Sequence, residues 1–171
     1  MKFGVVIFPS KKTQDLVNSY RKRYDPHYSL IPPHLTLKGP FDAEESDLPK
    51  LVEQLKDTAK KHQPFTYQLS KVKSFQPLNN VIYIKVEPNE TLTMMNEELH
   101  GDNVVGGPAE YAYVPHLTVA QKLSNAEHAD VYNSLNMLAF DQEETVDRFH
   151  LLYQLENGAW TVHETFLLGK E

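Results

Sequence analysis

Apolar residues in the first half of the chain follow two kinds of pattern, one typical of strands and one typical of helices. Apolar runs over residues 3–8 and 34–38 predict two strands, and residues 65–75 and 81–86 predict two more, joined by a polar turn. Between them, apolar residues spaced by three and four predict amphipathic helices. Because strands and helices mix and at least one strand pair must be antiparallel, the pattern favours an α+β fold.

The second half of the chain repeats this order of elements. Residues 116–120 predict a strand, and residues 145–155 and 159–168 predict two strands on either side of Glu156-Asn157-Gly158, a turn typical of a hairpin. Side chains that can cap a helix precede each of the helical patterns. These predicted caps are Ser10 (or Thr13), Asp47, Asn89 and Ser124.

One tetrapeptide occurs twice, in corresponding places of the two halves. Pro-His-Leu-Thr stands at residues 33–36 and again at residues 115–118, each time where a proline opens a short apolar strand. An internal duplication explains these matching contexts better than coincidence. Since side chains alternate along a strand, each copy presents its histidine and threonine on one face and its leucine on the other.

Two histidines and two threonines brought together suit acid–base chemistry on a phosphate. His34 and His116 can act as a proton donor and a proton acceptor near neutral pH. Thr36 and Thr118 can donate hydrogen bonds to the phosphate oxygens. Lys38, two residues beyond Thr36, is expected on the same face and could add positive charge. Such a site needs no metal ion and no other cofactor.

The composition narrows the classes of partner. The net charge of −6 disfavours a protein that coats duplex DNA, and the absence of cysteine excludes thiolate catalysis and disulfides. No close histidine pair suggests a zinc site, and no apolar segment is long enough for a membrane span. We expect a cytoplasmic protein with no membrane partner; the sequence is silent on its oligomeric state.

The two His-x-Thr-x motifs, 82 positions apart, resemble those of the 2H phosphoesterase superfamily, which includes RNA 2′,5′-ligase-like proteins and cyclic phosphodiesterases. The whole chain, including Ser-Tyr-Arg-Lys-Arg-Tyr at residues 19–24, looks like the YjcG-type branch. The resemblance implies one two-lobed α+β unit over residues 1–171, in which antiparallel sheets line a central cleft and helices lie outside. It also implies that His34 is the proton donor, that His116 is the acceptor, and that Thr36 and Thr118 bind phosphate.

The predicted function is a metal-independent phosphoesterase. Its substrate would be a 2′,3′-cyclic phosphate or a 2′,5′-phosphodiester, in RNA or in a small molecule derived from a nucleotide. The alternative is a module that binds a nucleotide phosphate or an RNA end on the same fold without turnover. A scaffold with a coincidental repeat is a third interpretation, and it predicts no anion in the cleft.

Some other residues are weaker candidates. Tyr111 and Tyr113 precede the second motif and could stack on a nucleobase, although packing in the core is the alternative. The basic residues Arg21, Lys22 and Arg23 are expected on the solvated face of a helix, with guidance of an RNA end as the functional alternative.

Overall fold

The computed structural model of the protein describes residues 1–170, which form two antiparallel four-stranded sheets and four α-helices. This is the α+β architecture that the sequence predicts. The first sheet has the order β2-β1-β7-β8 and comprises β1 (Lys2–Ile7), β2 (Leu35–Asp42), β7 (Arg148–Gln154) and β8 (Trp160–Leu167). The second sheet has the order β5-β4-β3-β6 and comprises β3 (Phe65–Ser74), β4 (Ile82–Val86), β5 (His116–Ala120) and β6 (Glu143–Val146).

Three of the predicted helix caps are confirmed. The side chains of Ser10, Asn89 and Ser124 each accept a hydrogen bond from a backbone N–H in the first turn of their helix. Asp47 differs, because a short 3₁₀ turn precedes its helix and its carboxylate accepts from the N–H of Glu44 instead. The helices are α1 (Lys11–Tyr24), α2 (Leu48–Lys61), α3 (Glu90–Leu99) and α4 (Asn125–Leu135).

The two sheets exchange helices. Helix α1 connects two strands of the first sheet but packs on β5 of the second, whereas α3 connects two strands of the second sheet and packs on β2 of the first. Strands β2 and β5 each end their sheet, and they contact one another. The two edge strands that carry the repeated motif are therefore neighbours. No helix within residues 1–170 is long and apolar enough to cross a membrane.

The interpretation of residues 145–155 as one strand is wrong. Strand β6 pairs with β3 in the second sheet, and β7 pairs with β1 and β8 in the first. The chain passes from one sheet to the other at Asp147, whose carboxylate accepts from Arg148 and whose carbonyl accepts from the N–H of Leu168. The sequence does carry a signal here, because two consecutive polar residues, Asp147 and Arg148, interrupt the alternation between Val146 and Phe149.

Candidate functional site

The two copies of the motif meet at one cavity between the sheets. The cavity has a volume of about 400 Å³, and His34, Thr36 and Thr118 are among the residues that line it. Leu35 and Leu117, which alternate with them, are fully buried in the core. The structure therefore places the leucine of each motif in the core and His34, Thr36 and Thr118 at one cavity, while His116 is not among the residues that line it.

Both motif histidines are held by the same hydrogen bond. Nδ1 of His34 lies 2.9 Å from the carbonyl oxygen of Pro32, and Nδ1 of His116 lies 2.6 Å from that of Val114. A carbonyl oxygen only accepts hydrogen bonds, so each Nδ1 carries a proton and donates. In the neutral ring, Nε2 then presents its lone pair. Neither Nε2 atom has a hydrogen-bond partner among residues 1–170.

The environment keeps both imidazoles neutral near pH 7. The pKa of His34 is lowered to about 4, mainly by burial and also by the nearby charges of Arg21 and His116, against the opposing effects of the Pro32 carbonyl and Asp25. Burial also lowers the pKa of His116, while its hydrogen bond to the Val114 carbonyl acts in the opposite sense. Since His116 acts on the pKa of His34, the two rings lie within electrostatic range of each other.

Aromatic rings pack around His116. The imidazole makes edge contacts with Phe75 and Tyr83, at centroid distances of 5.0 and 5.2 Å, and these two rings stack on each other at 4.2 Å. Tyr83 is directly opposite Thr118 in the ladder between β4 and β5, so it shares the face of the second motif. This packing restricts the orientation of the His116 ring.

The two motif hydroxyls are free to bind a ligand. Thr36 and Thr118 are partly buried, and no hydrogen bond from either side-chain oxygen to another residue is found within residues 1–170. Two hydroxyls and the Nε2 atom of His34 thus reach one cavity without partners in the protein, and a tetrahedral oxyanion could satisfy all three at once. His116 is not among the residues that line this cavity, although it is near enough to lower the pKa of His34.

The expectation that Lys38 shares the face of Thr36 is wrong. Val6 pairs with Thr36 but Val5 pairs with Lys38, so β2 has one extra residue between them and the side chain of Lys38 turns to the opposite face. Its ammonium group is buried and donates to the carbonyl oxygens of Leu99, Val105 and Gly107. Burial lowers the pKa of Lys38 to about 8. Lys38 ties β2 to the segment before the second motif, and its ammonium is not directed at Thr36.

Lys38 is among the residues that line the cavity, although its ammonium group is bound elsewhere, whereas the two tyrosines that precede the second motif do not line it. Tyr111 is 85% exposed. Tyr113 packs against the core, and its hydroxyl donates to the backbone carbonyl of Thr36 at 2.7 Å. Tyr113 therefore links the segment before β5 to the first motif strand, which is a packing role.

A buried ion pair that the sequence did not indicate supports the cavity wall. The pattern placed Arg21 on the solvated face of α1, yet its side chain and that of Asp25 are both 2% exposed, with Nε and Oδ2 separated by 3.1 Å. Arg21 also donates to the carbonyls of His27 and Ile31, and Asp25 accepts from the amide of Gln121 just after β5. The pair joins the loop before the first motif to the end of the second. Its one sequence signal is the i, i+4 spacing of opposite charges.

Three or more metal-ligating side chains (histidine, cysteine, aspartate or glutamate) do not cluster anywhere in the part of the chain that the structure describes.

Comparison with known proteins bears directly on this arrangement. The sequence model of the 2′-5′ RNA ligase superfamily matches residues 8–158, a span that contains both His-x-Thr motifs. The chain belongs to this superfamily. The family resemblance that the motifs indicated is thereby confirmed.

Relatives with phosphoesterase names support the same assignment within the superfamily. A protein of Bacillus pumilus is 60% identical over 171 residues, covering 100% of this chain and 99% of its own length. A protein of Bacillus cytotoxicus is 59% identical over 170 residues, covering 99% of this chain and 98% of its own length. The chain is accordingly a phosphoesterase of the 2′-5′ RNA ligase superfamily.

Two solved structures share the fold of this chain. Escherichia coli LigT complexed with 3′-AMP matches with a TM-score of 0.73 at 14% identity, over 99% of this chain and 98% of that one. The protein TT0787 of Thermus thermophilus matches with a TM-score of 0.70 at 22% identity, over 100% of both chains. The chain therefore shares its overall fold with these proteins.

Proposed function

We propose that the protein is a metal-independent phosphoesterase that acts on a 2′,3′-cyclic phosphate or a 2′,5′-phosphodiester, in RNA or in a small molecule derived from a nucleotide. The observation that carries the proposal is the repeated histidine arrangement. Each motif has Nδ1 bound to the carbonyl two residues earlier and Nε2 without a protein partner beside an unpaired threonine hydroxyl. Escherichia coli LigT has been solved with 3′-AMP, ATP and NADP⁺, which supports a nucleotide-like ligand.

The proposed reaction starts with one of the two Nε2 atoms protonated and the other unprotonated. For a 2′,3′-cyclic phosphate, neutral His116 takes a proton from water as the water oxygen bonds to phosphorus. The bond from phosphorus to one ribose oxygen breaks, and protonated His34 gives its Nε2 proton to that oxygen. The product is a phosphate monoester, and exchange with solvent restores the starting protonation. The reverse direction, ligation, exchanges the two roles.

The threonines bind the phosphate in this scheme. The hydroxyls of Thr36 and Thr118 donate to the oxygens that do not take part in bond breaking, where negative charge builds up in the transition state. Neutral donors suffice because each oxygen of the reaction has its own imidazole. No charged side chain is assigned to the phosphate, since the Lys38 ammonium is held by three carbonyls on the other face.

The test is turnover of a panel of 2′,3′-cyclic nucleotides and 2′,5′-linked dinucleotides, with and without EDTA. His34→Ala and His116→Ala should each lower kcat about 10²–10⁴-fold, because each removes a proton-transfer group. Thr36→Val and Thr118→Val should cost less, about 1–3 kcal/mol, since one hydrogen bond to phosphate is lost and the β-branched shape is kept. His163→Ala is the matched control, because His163 is exposed on β8.

The outcomes separate the proposal from its alternative. Wild-type turnover that survives EDTA and fails in both histidine variants supports the two-histidine mechanism. Binding of the panel without any turnover would instead support a non-catalytic module on the same fold. Turnover that is lost in EDTA and restored by a divalent ion would contradict metal independence.

A further inference from the structure

The cavity continues away from the motif residues along the concave face of the first sheet. Val6 pairs with Thr36, and Gly4, two residues along β1, pairs with Leu152 on β7. Because side chains alternate and paired residues share a face, these four positions form one surface. All four line the cavity. Val6, Gly4 and Leu152 make the middle of this surface apolar, and Lys2 and Gln154 line the cavity at its margin.

A tryptophan covers this apolar surface. The indole of Trp160 lies against Gly4, with Cζ3 3.7 Å from the position that a Cβ atom there would occupy. Gly4 has no side chain, so the ring tip reaches the backbone of β1. Trp160 also lines the cavity. Within residues 1–170, no other aromatic ring is found stacked on the indole, and its Nε1–H donates no hydrogen bond.

The backbone around Trp160 is fixed to the first motif. Its N–H donates to the carbonyl of Leu30 at 2.9 Å, in the loop that leads to His34. Gln154 pairs with Trp160 across the hairpin, and its Nε2 donates to the carbonyl of Gly158 at 3.0 Å. The Gln154 Oε1 atom then remains as an acceptor on the same face. The wall is thus held in place before any ligand binds.

The spacing suits one nucleoside. The tip of the indole lies over Gly4 on β1. Thr36 lies on the neighbouring strand β2, where it pairs with Val6, and Gly4 is two residues before Val6. Strand geometry places these positions about 8 Å apart. A ribose bridges such a gap, with its phosphate among the motif residues and its base on the indole.

We propose that Trp160 forms a nucleobase subsite beside the phosphate site, so that the substrate is a nucleotide whose base stacks on the indole. Aromatic rings bind bases by stacking with little sequence preference, and amide oxygens bind the N–H groups at base edges. The inference rests on the proposed function for the position of the phosphate. It also replaces Tyr111 and Tyr113 as the stacking residues.

The first test uses fluorescence, because Trp160 is the only tryptophan in the sequence. Titration with 3′-AMP should quench its emission saturably, whereas ribose 5-phosphate and inorganic phosphate should leave the emission within a few per cent of its starting value. Calorimetry under the same conditions gives the affinities. Binding of 3′-AMP by calorimetry without a change in the emission would overturn the subsite, as would the absence of 3′-AMP binding.

The second test uses variants. Trp160→Ala should weaken 3′-AMP binding about 5- to 150-fold and leave ribose 5-phosphate binding unchanged, because only the stacking partner is lost. Trp160→Phe keeps an aromatic ring and should stay within about threefold of wild type, which also keeps the test valid if the alanine variant fails to fold. Leu167→Ala, a 43% exposed leucine on the same strand, is the control. Unchanged 3′-AMP affinity in Trp160→Ala, or loss of affinity in the phenylalanine variant equal to that in alanine, would overturn the proposal.

A substrate without a base separates this inference from the proposed function. Ribose 2′,3′-cyclic phosphate carries the reacting group but nothing to stack. If the histidine mechanism is right and the subsite is wrong, this compound and 2′,3′-cyclic AMP will be hydrolysed with equal kcat/KM. If the subsite is right, 2′,3′-cyclic AMP will have the higher kcat/KM, and Trp160→Ala will remove that advantage.

Discussion

At the scale of single residues, the motif histidines are prepared for proton transfer by their surroundings. The carbonyls of Pro32 and Val114 fix the proton on Nδ1, and burial disfavours a second proton on Nε2. Both rings of the free protein are therefore neutral bases at pH 7. One of them must gain a proton before it can act as an acid, and the negative charge of a bound phosphate favours that gain.

This reasoning predicts an acidic optimum for kcat/KM. A reaction that needs one protonated and one neutral histidine has a bell-shaped profile, whichever ring is the acid. Its limbs are the two pKa values, about 4 for His34 and a value lowered from 6.5 for His116. The kcat/KM profile between about pH 3.5 and 8.5 should thus peak between these limits. The bound anion raises both pKa values, so kcat should peak at a higher pH than kcat/KM. A kcat/KM maximum above pH 7 would contradict the prediction.

Residue-level expectations from the sequence were right wherever strand alternation is regular. Leu35 and Leu117 are buried and their neighbouring threonines face the cavity, as a period of two requires. The same rule misplaced Lys38, because an extra residue in β2 inverts the alternation after Thr36. Such a bulge depends on pairing with β1, which no local pattern records.

At the scale of elements, the loop between α1 and β2 carries the first motif and depends on a buried ion pair. Arg21 donates to two carbonyls of this loop, and Asp25 accepts both from the N–H of His27 and from Gln121 at the end of β5. Periodicity alone assigned Arg21 to the solvated face, because a basic residue in the last turn of a helix is ordinarily exposed. Its burial follows from how the loop folds back on the helix.

Breaking this pair should destabilise the fold. Arg21→Met leaves the Asp25 carboxylate buried without its cation, so the free energy of unfolding should fall by about 3–5 kcal/mol. Arg21→Met combined with Asp25→Leu should recover a large part of that loss, since no charge is then left unpaired. Chemical denaturation measures both variants, and Lys22→Met, at an exposed neighbour, is the control. A loss below about 1 kcal/mol in Arg21→Met would show that the pair does not support the loop.

At the scale of the whole molecule, the site exists because two similar halves place their edge strands together. The repeated tetrapeptide revealed the halves, and mixed periodicity revealed the α+β class. The exchange of α1 and α3 between the sheets and the passage of the chain at Asp147 were not predictable in the same way. Both depend on contacts between residues far apart in the sequence. The spacing of apolar residues within one helix or strand shows only which of its faces is buried.

The charge distribution of the whole molecule leads to a last prediction, about salt. The net charge is −6, the charges of Arg21 and Asp25 at the cavity cancel, the Lys38 ammonium is held by carbonyls, and Lys2, which also lines the cavity, lies 3.9 Å from the Asp42 carboxylate. Binding should therefore rely on neutral donors and stacking, with little release of counterions. Between about 50 and 300 mM NaCl, Kd for 3′-AMP should change less than about threefold, and the log–log slope for a single-stranded RNA of about 20 nucleotides should be shallower than about −2. Each phosphate of a single strand that lysine or arginine neutralises makes the log–log slope more negative by about 0.7. A steeper slope for the RNA would therefore contradict the prediction and would indicate a basic surface that binds a long polyanion.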